Sequence, residues 1–205
     1  MGFSLSWLAV KGKPSEWVRE ELGFRPTGQR EEIPEAGFSA AEMPSGWYLI
    51  VADHKEQVAS DSVLRRLSDS GCELVTCFVE EHVMASQATG WREGRRTWLV
   101  YHDSQQGTQH LDVEGEPPEG FAAIRDGLFA KQTGGGCDYI FDIPVETARS
   151  LTGYRYDQDI PGLSGEVFEV LTEIPPVNPV KNSTAGPPDP ASHEKPSFFR
   201  RLFGR

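Results

Sequence analysis

The chain is expected to form an α+β fold: a largely antiparallel sheet with a central strand meander and flanking helices. Three observations carry that expectation. From Cys72 to Val113 four β-like runs follow one another across short polar turns, which makes adjacent antiparallel strands the economical arrangement. Segments with helical periodicity are few and short, and prolines open them or glycines close them. With 205 residues, 38% hydrophobic and 10% aromatic, the chain can bury one substantial core.

Phe3–Val10 alternates, with Phe3, Leu5, Trp7 and Ala9 on one side, and reads as the first strand. Pro14 and Ser15 open a helix that runs to Leu22 and stops at Gly23. Arg25–Ser45 holds Pro26, Gly28, Pro34, Gly37 and Pro44, which predicts a long, mostly irregular connection with one short element at Phe38–Met43. Connections of that length often line a site. Trp47–Ala52 is a near-continuous apolar run, the pattern of a strand buried on both faces. Ser60 caps a helix whose inward residues are Val63, Leu64 and Leu67 and which Gly71 ends.

The meander comprises Cys72–Val79, Val83–Ala88, Thr97–His102 and His110–Val113, with glycine turns at Arg92–Arg95 and Ser104–Gly107. Pro117 and Pro118 introduce a helix across Glu119–Gln132, with Phe121, Ile124 and Leu128 as its buried stripe and Gly134–Gly136 as its end. A strand at Asp138–Ile143, a helix begun at Pro144 and a strand at Glu166–Thr172 complete one domain of residues 1–174. At a constant offset of 130, Pro14, Glu16, Arg19, Gly23, Phe24 and Arg25 meet Pro144, Glu146, Arg149, Gly153, Tyr154 and Arg155. If that echo marks a repeat of strand, proline, helix, glycine, aromatic and arginine, Arg25 and Arg155 occupy equivalent positions.

Residues 175–194 read as a proline-rich, disordered linker; with Pro196 it holds 7 of the 15 prolines. It leads to a basic, aromatic tail at residues 195–205. There Phe198, Phe199, Leu202 and Phe203 share one face of a short helix while Arg200, Arg201 and Arg205 lie off it, a spacing suited to a groove or a bilayer surface. So short a segment does not hold a helix alone in water, and its affinity for lipid alone should be modest. The net charge of −11 is uneven: −14 over residues 1–174, −1 over the linker and +4 over the tail. The body should therefore repel nucleic acid and anionic lipid, whereas the tail could meet a partner protein, an anionic membrane or the acidic body itself. Three cysteines, Cys72, Cys77 and Cys137, make an odd and sparse set that fits a reducing compartment. With no signal-peptide pattern and no run of membrane-spanning length, a soluble cytoplasmic protein is expected.

His82, His102, Asp103, His110 and Cys77 all fall in or beside the meander, so an active site would be built from them. No His-Glu-x-x-His or paired Cys-x-x-Cys spacing is present, and neither metal nor cofactor is expected. The plainer reading makes Cys72 and Cys77 small core residues and the histidines solvated strand ends. The glycine run at 134–136 lacks the lysine and hydroxyl of a phosphate loop and reads as a joint. Asp138, Asp142, Asp157 and Asp159 supply carboxylates on two nearby segments without calcium-loop spacing, which favours a solvated face. Among the five tryptophans, Trp91 borders the one dense basic stretch of the body and is expected to stay partly exposed. Trp91 with Arg92, Arg95 and Arg96 reads as an aromatic anchor in a cationic rim, against the commoner case of a charged hairpin tip that aids solubility.

The blocks Gly90–Trp98 through His102 and Asp103, and Asp138–Val145 through Leu151–Arg155, resemble soluble bacterial proteins of uncharacterised function. The resemblance covers most of the body; it implies a bacterial cytoplasmic setting and brings no activity, substrate or catalytic residue with it. The expectation is a non-catalytic binding or adaptor protein that contacts another protein through its tail and the Trp91 hairpin. A small hydrolase or metal-dependent enzyme using the histidines is the alternative, and peripheral membrane attachment through the tail a third.

Overall fold

In the computed structural model, residues 2–54, 57–132 and 136–175 are described. The linker beyond Pro175 and the tail, with Phe198, Phe199, Arg200, Arg201, Leu202 and Phe203, lie outside them. In chain order the elements are β1 (Ser4–Lys11), α1 (Ser15–Leu22), β2 (Phe24–Glu31), β3 (Phe38–Glu42), β4 (Tyr48–Asp53), α2 (Asp61–Asp69), β5 (Glu73–Glu80), β6 (Ala85–Arg92), β7 (Arg95–Asp103), β8 (Asp112–Gly115), α3 (Phe121–Lys131), α4 (Asp142–Thr152) and β9 (Phe168–Glu173). The nine strands form one antiparallel sheet in the order β2-β9-β3-β4-β1-β5-β6-β7-β8. The fold is α+β, and β5 to β8 are the expected meander.

β1 sits at the centre because both of its faces are apolar. Leu5, Trp7 and Ala9 point into one core cluster with Val75, Cys77, Val100 and the α4 residues Ile143, Val145 and Ala148. Leu8 and Val10 point into the other, with Val18 of α1 and Leu64 and Leu67 of α2. Helices thus cover both faces, α1 and α2 on one and α3 and α4 on the other, and a strand so placed is buried along nearly its whole length. β6 is built from small residues, with Ser86, Ala88 and Gly90 on the face that α4 crosses, so the helix comes close enough for Ser86 Oγ to donate to the Phe141 carbonyl at 2.6 Å. The polar residues that α4 buries bond back along the helix: Thr147 to the Ile143 carbonyl at 2.7 Å and Thr152 to that of Ala148 at 2.9 Å.

Three local expectations change. Arg25–Ser45 is not mostly irregular, because Phe24–Glu31 forms strand β2 despite Pro26 and Gly28. β2 is an edge strand, where a residue without an N–H is tolerated, and its pairing with β9 shifts register between Pro26 and Arg30. Asp138–Ile143 is not a strand; Tyr139–Phe141 turn into α4, which already includes Asp142 and Ile143. Ile140 and Ile143 are fully buried there, and Pro144 falls in the first turn, where its missing N–H costs nothing. The echo between residues 14–25 and 144–155 is local: both helices end at a left-handed glycine, Gly23 and Gly153, followed by a buried aromatic. The second copy has no preceding strand, and Arg25 is exposed on β2 whereas Arg155 is largely enclosed by carboxylates.

Candidate functional site

At the C-terminal end of β7 the structure brings together His102, Asp103 and His110. His102 is fully buried, with Nδ1 2.7 Å from the His110 carbonyl oxygen and Nε2 3.0 Å from Asp138 Oδ2. The carbonyl and the carboxylate oxygen both accept, so whichever ring nitrogen carries a proton has an acceptor in front of it. Asp138 Oδ1 accepts from the N–H groups of Ile140 and Phe141, both at 3.2 Å, and so shapes the turn that enters α4. His102 therefore fastens β7 to the start of α4. Asp103 accepts from the Tyr101 hydroxyl at 3.2 Å, the Gln105 N–H at 2.9 Å and Gln106 Nε2 at 3.1 Å. Its own N–H donates to His110 Nδ1 at 3.0 Å, which closes the loop from 103 to 110. His110 Nε2 lies 3.2 Å from Asp112 Oδ2 but off the line of a hydrogen bond.

Cys77 and His82 stand apart from this network. Cys77 pairs with Ala88 of β6, which pairs with Val100 of β7, so two strand spacings separate it from the strand of His102. Burial pushes its thiol well above the usual range, and the side chain is one of the core cluster. His82 is exposed on the turn after β5, with Nδ1 2.6 Å from Glu80 Oε1. Among the described residues no group of three or more His, Cys, Asp or Glu side chains is placed to hold a metal ion.

The opposite end of the sheet carries the β6–β7 hairpin and a concavity of about 590 Å³. Glu93 and Gly94 at the hairpin tip both have positive φ, 52° and 69°, the two-residue turn that matches the twist of antiparallel strands. Gly90 pairs with Trp98 and Trp91 with Arg96, so Thr97 is an extra residue on β7, and this bulge turns Arg96 onto the face of Trp91. Trp91 is 5% exposed, packs in the cluster of Leu64 and Leu67, and donates from Nε1 to Thr89 Oγ1 at 2.9 Å. The expected exposed anchor is thus a core residue showing an edge to the groove. Trp47, Trp98, Pro118 and Leu151 complete the apolar wall. Trp47 and Trp98, which the charge pattern did not single out, could have been suspected from Trp98 lying across the sheet from a glycine.

The arginines reach where the tryptophans do not. Arg92 pairs with Glu73, Arg95 with Glu93 at 3.8 Å and Arg96 with Glu114 at 2.7 Å, and all three remain substantially exposed. Exposed pairs of this kind contribute between about 0 and 1 kcal/mol, so a partner's carboxylate can take over an arginine with little loss. Lys11 Nζ lies 5.6 Å from the ring centre of Trp47 and adds a further cation beside the groove.

A third constellation was legible only as scattered aspartates. Arg155 donates to Asp157 through Nε at 2.6 Å, to Glu146 through Nη1 at 2.6 Å and to Asp142 through Nη2 at 2.8 Å. Two of the four suspected carboxylates, Asp142 and Asp157, therefore converge on one guanidinium and clasp α4 to the segment that follows it. Burial raises the Asp142 carboxyl above its ordinary range, with Arg155 opposing and Glu146 and Asp157 adding to the rise. A raised native pKa means that ionisation opposes folding, so this stability is present at acid pH and lost as pH rises through the native value. Arg155→Gln should raise that pKa further and cost about 3 kcal/mol at pH 7.5, with a smaller loss at pH 5. Urea midpoints at the two pH values check this, and an equal loss at both would contradict it.

Together, fold and site define a three-layered α+β domain with a tryptophan-edged, arginine-rimmed groove at one end of its sheet. No protein-family model, curated protein or solved structure matches the chain. Among the described residues no helix is long and apolar enough to cross a membrane.

Proposed function

We propose that the protein is a non-catalytic binding protein that engages another protein through the groove beside the β6–β7 hairpin, with residues 195–205 as a second, tethered contact. The observation that carries this reading is the meeting of tryptophan edges and exchangeable arginines around one concavity. Interfaces draw most of their energy from aromatic and arginine side chains at a partly enclosed centre. The His102 network supports the same reading, since its hydrogen bonds are made to fold-closing partners. The setting that goes with it is the cytoplasm of a bacterium, where the free Cys72, Cys77 and Cys137 would stay reduced.

The test is quantitative affinity capture from host lysate with three baits: the full chain, its Arg92→Gln/Arg95→Gln/Arg96→Gln variant, and a chain ending at Ile174. Exposed arginines can be neutralised with little effect on folding, which circular dichroism verifies. A partner retained by the full chain should fall about tenfold with the triple variant. Equal retention rejects the groove, and equal retention by the chain ending at Ile174 rejects the tail.

A further inference from the structure

A second cavity, of about 490 Å³, opens beyond the N-terminal end of β1, away from the hairpin groove. The loop between β2 and β3 and the segment after α4 form its sides. Its walls are aromatic: Phe3, Tyr154, Tyr156 and Phe168. Phe3 meets Tyr156 edge-on at 5.1 Å, and Phe168 meets Tyr154 likewise at 6.3 Å. The rings are fixed from behind, because Tyr154 packs edge-on against Trp7 at 5.3 Å and the Tyr156 hydroxyl donates to Glu81 Oε1 at 2.6 Å. Glu81 also accepts from the Phe3 N–H at 2.9 Å, holding both sides of the mouth with one carboxylate.

Charge makes this cavity selective. Arg155, the cation in its lining, is engaged by Asp142, Glu146 and Asp157, so its charge is more than matched. Glu32 and Asp159 add two exposed carboxylates at the lining, and neither has a partner among the described residues. Ile33 and Phe3, 63% and 47% exposed, flank the opening and offer apolar surface to whatever enters. An anion would meet surplus negative charge, and a neutral apolar molecule would gain nothing from it. A cation gains from the carboxylates and from the exposed ring of Phe3, while the Arg155 guanidinium, 6.0 Å from the centre of the Tyr156 ring, shows the same kind of contact within the lining.

We propose that this cavity binds a small organic ammonium ligand, a positively charged nitrogen carried on an apolar body. The volume falls in the range of small-molecule sites, and ordered aromatic walls with a few charged groups at the mouth are the usual construction of such sites. No covalent step is involved. The proposal stands independently of the hairpin groove, since the two cavities share no lining residue.

Calorimetry and two-dimensional NMR on the full chain test it, with choline and benzyltrimethylammonium as probes. The uncharged carbon isostere of choline, 3,3-dimethyl-1-butanol, serves as control. Both cations should bind saturably, the benzyl compound more tightly, and the isostere at least about tenfold more weakly than choline. Shifts should concentrate on Phe3, Ile33, Tyr154 and Tyr156. Glu32→Gln/Asp159→Asn changes exposed, unpartnered groups and should weaken the cations about threefold or more while leaving the melting temperature in place. Absence of saturable binding, equal affinity for the isostere, unchanged affinity in the double variant, or shifts spread over the acidic surface would each overturn the proposal.

Discussion

Replacing His102 by alanine should remove about 3–4 kcal/mol of folding stability, from the cavity left by a large buried side chain and the loss of two buried hydrogen bonds. The ring is fully buried between two acceptors, the His110 carbonyl and Asp138 Oδ2, and alanine supplies neither with a donor. The carboxyl group then remains beside the α4 entry with its N–H partners from Ile140 and Phe141 but without its imidazole partner. Asp138→Asn should cost less, about 1–2 kcal/mol, because an amide oxygen can still accept from the turn N–H groups while the charge is gone. Urea denaturation of the three proteins separates these values. A loss below about 1 kcal/mol for His102→Ala would show that the tie between β7 and α4 is solvent-accessible and unimportant to the fold.

Gly90→Ala should be nearly as costly, about 2–4 kcal/mol, although alanine is otherwise the easier residue to order. The indole of Trp98 lies on the glycine: a Cβ at position 90 would stand 2.0 Å from its Nε1, 2.4 Å from Cε2 and 2.8 Å from Cδ1. The ring belongs to a packed cluster with Val100 and Trp47, so it has little room to move aside. Its displacement should alter the near-ultraviolet circular dichroism of the tryptophans and reshape the groove. Combining Gly90→Ala with Trp98→Leu should recover at least about 1 kcal/mol relative to the summed single changes. Strict additivity would mean that the clash is not the cause.

Both predictions rest on pairs that the sequence exposes unequally. Gly90 and Trp98 face each other across a two-residue turn, so their proximity follows from local patterning once Glu93 and Gly94 are recognised as the hairpin tip. His102 and Asp138 are 36 residues apart with β8 and α3 between them, and nothing in the spacing announces the contact. The Arg155 clasp is intermediate. Its partners lie 13, 9 and 2 residues away, but they converge only because α4 ends at Gly153 and the chain folds back along the helix.

The same contrast runs through the secondary structure. α1, α2 and α3 and strands β4 to β8 were legible because caps, prolines, glycines and alternation act within a few residues of one another. β2 was not, because Pro26 and Gly28 disguise a strand whose partner, β9, arrives from the far end of the domain. The apolar run at Asp138–Ile143 fits a buried strand and a buried helix entry equally well, and packing on the small residues of β6 chose the helix. Trp91 was misplaced because its neighbours in sequence are charged, whereas its neighbours in space, Leu64, Leu67 and Leu74, are not.

The sequence by itself determined an α+β domain with an antiparallel meander, an acidic body, a basic hairpin tip and a contrasting basic, aromatic tail, since composition and short-range periodicity are properties of the chain alone. The tertiary structure decided which strand stands at the edge, which tryptophans border the groove, and which acids and bases are engaged in holding the fold. Those outcomes depend on contacts between segments distant in sequence, whose free energies arise only when both surfaces are brought together and desolvated.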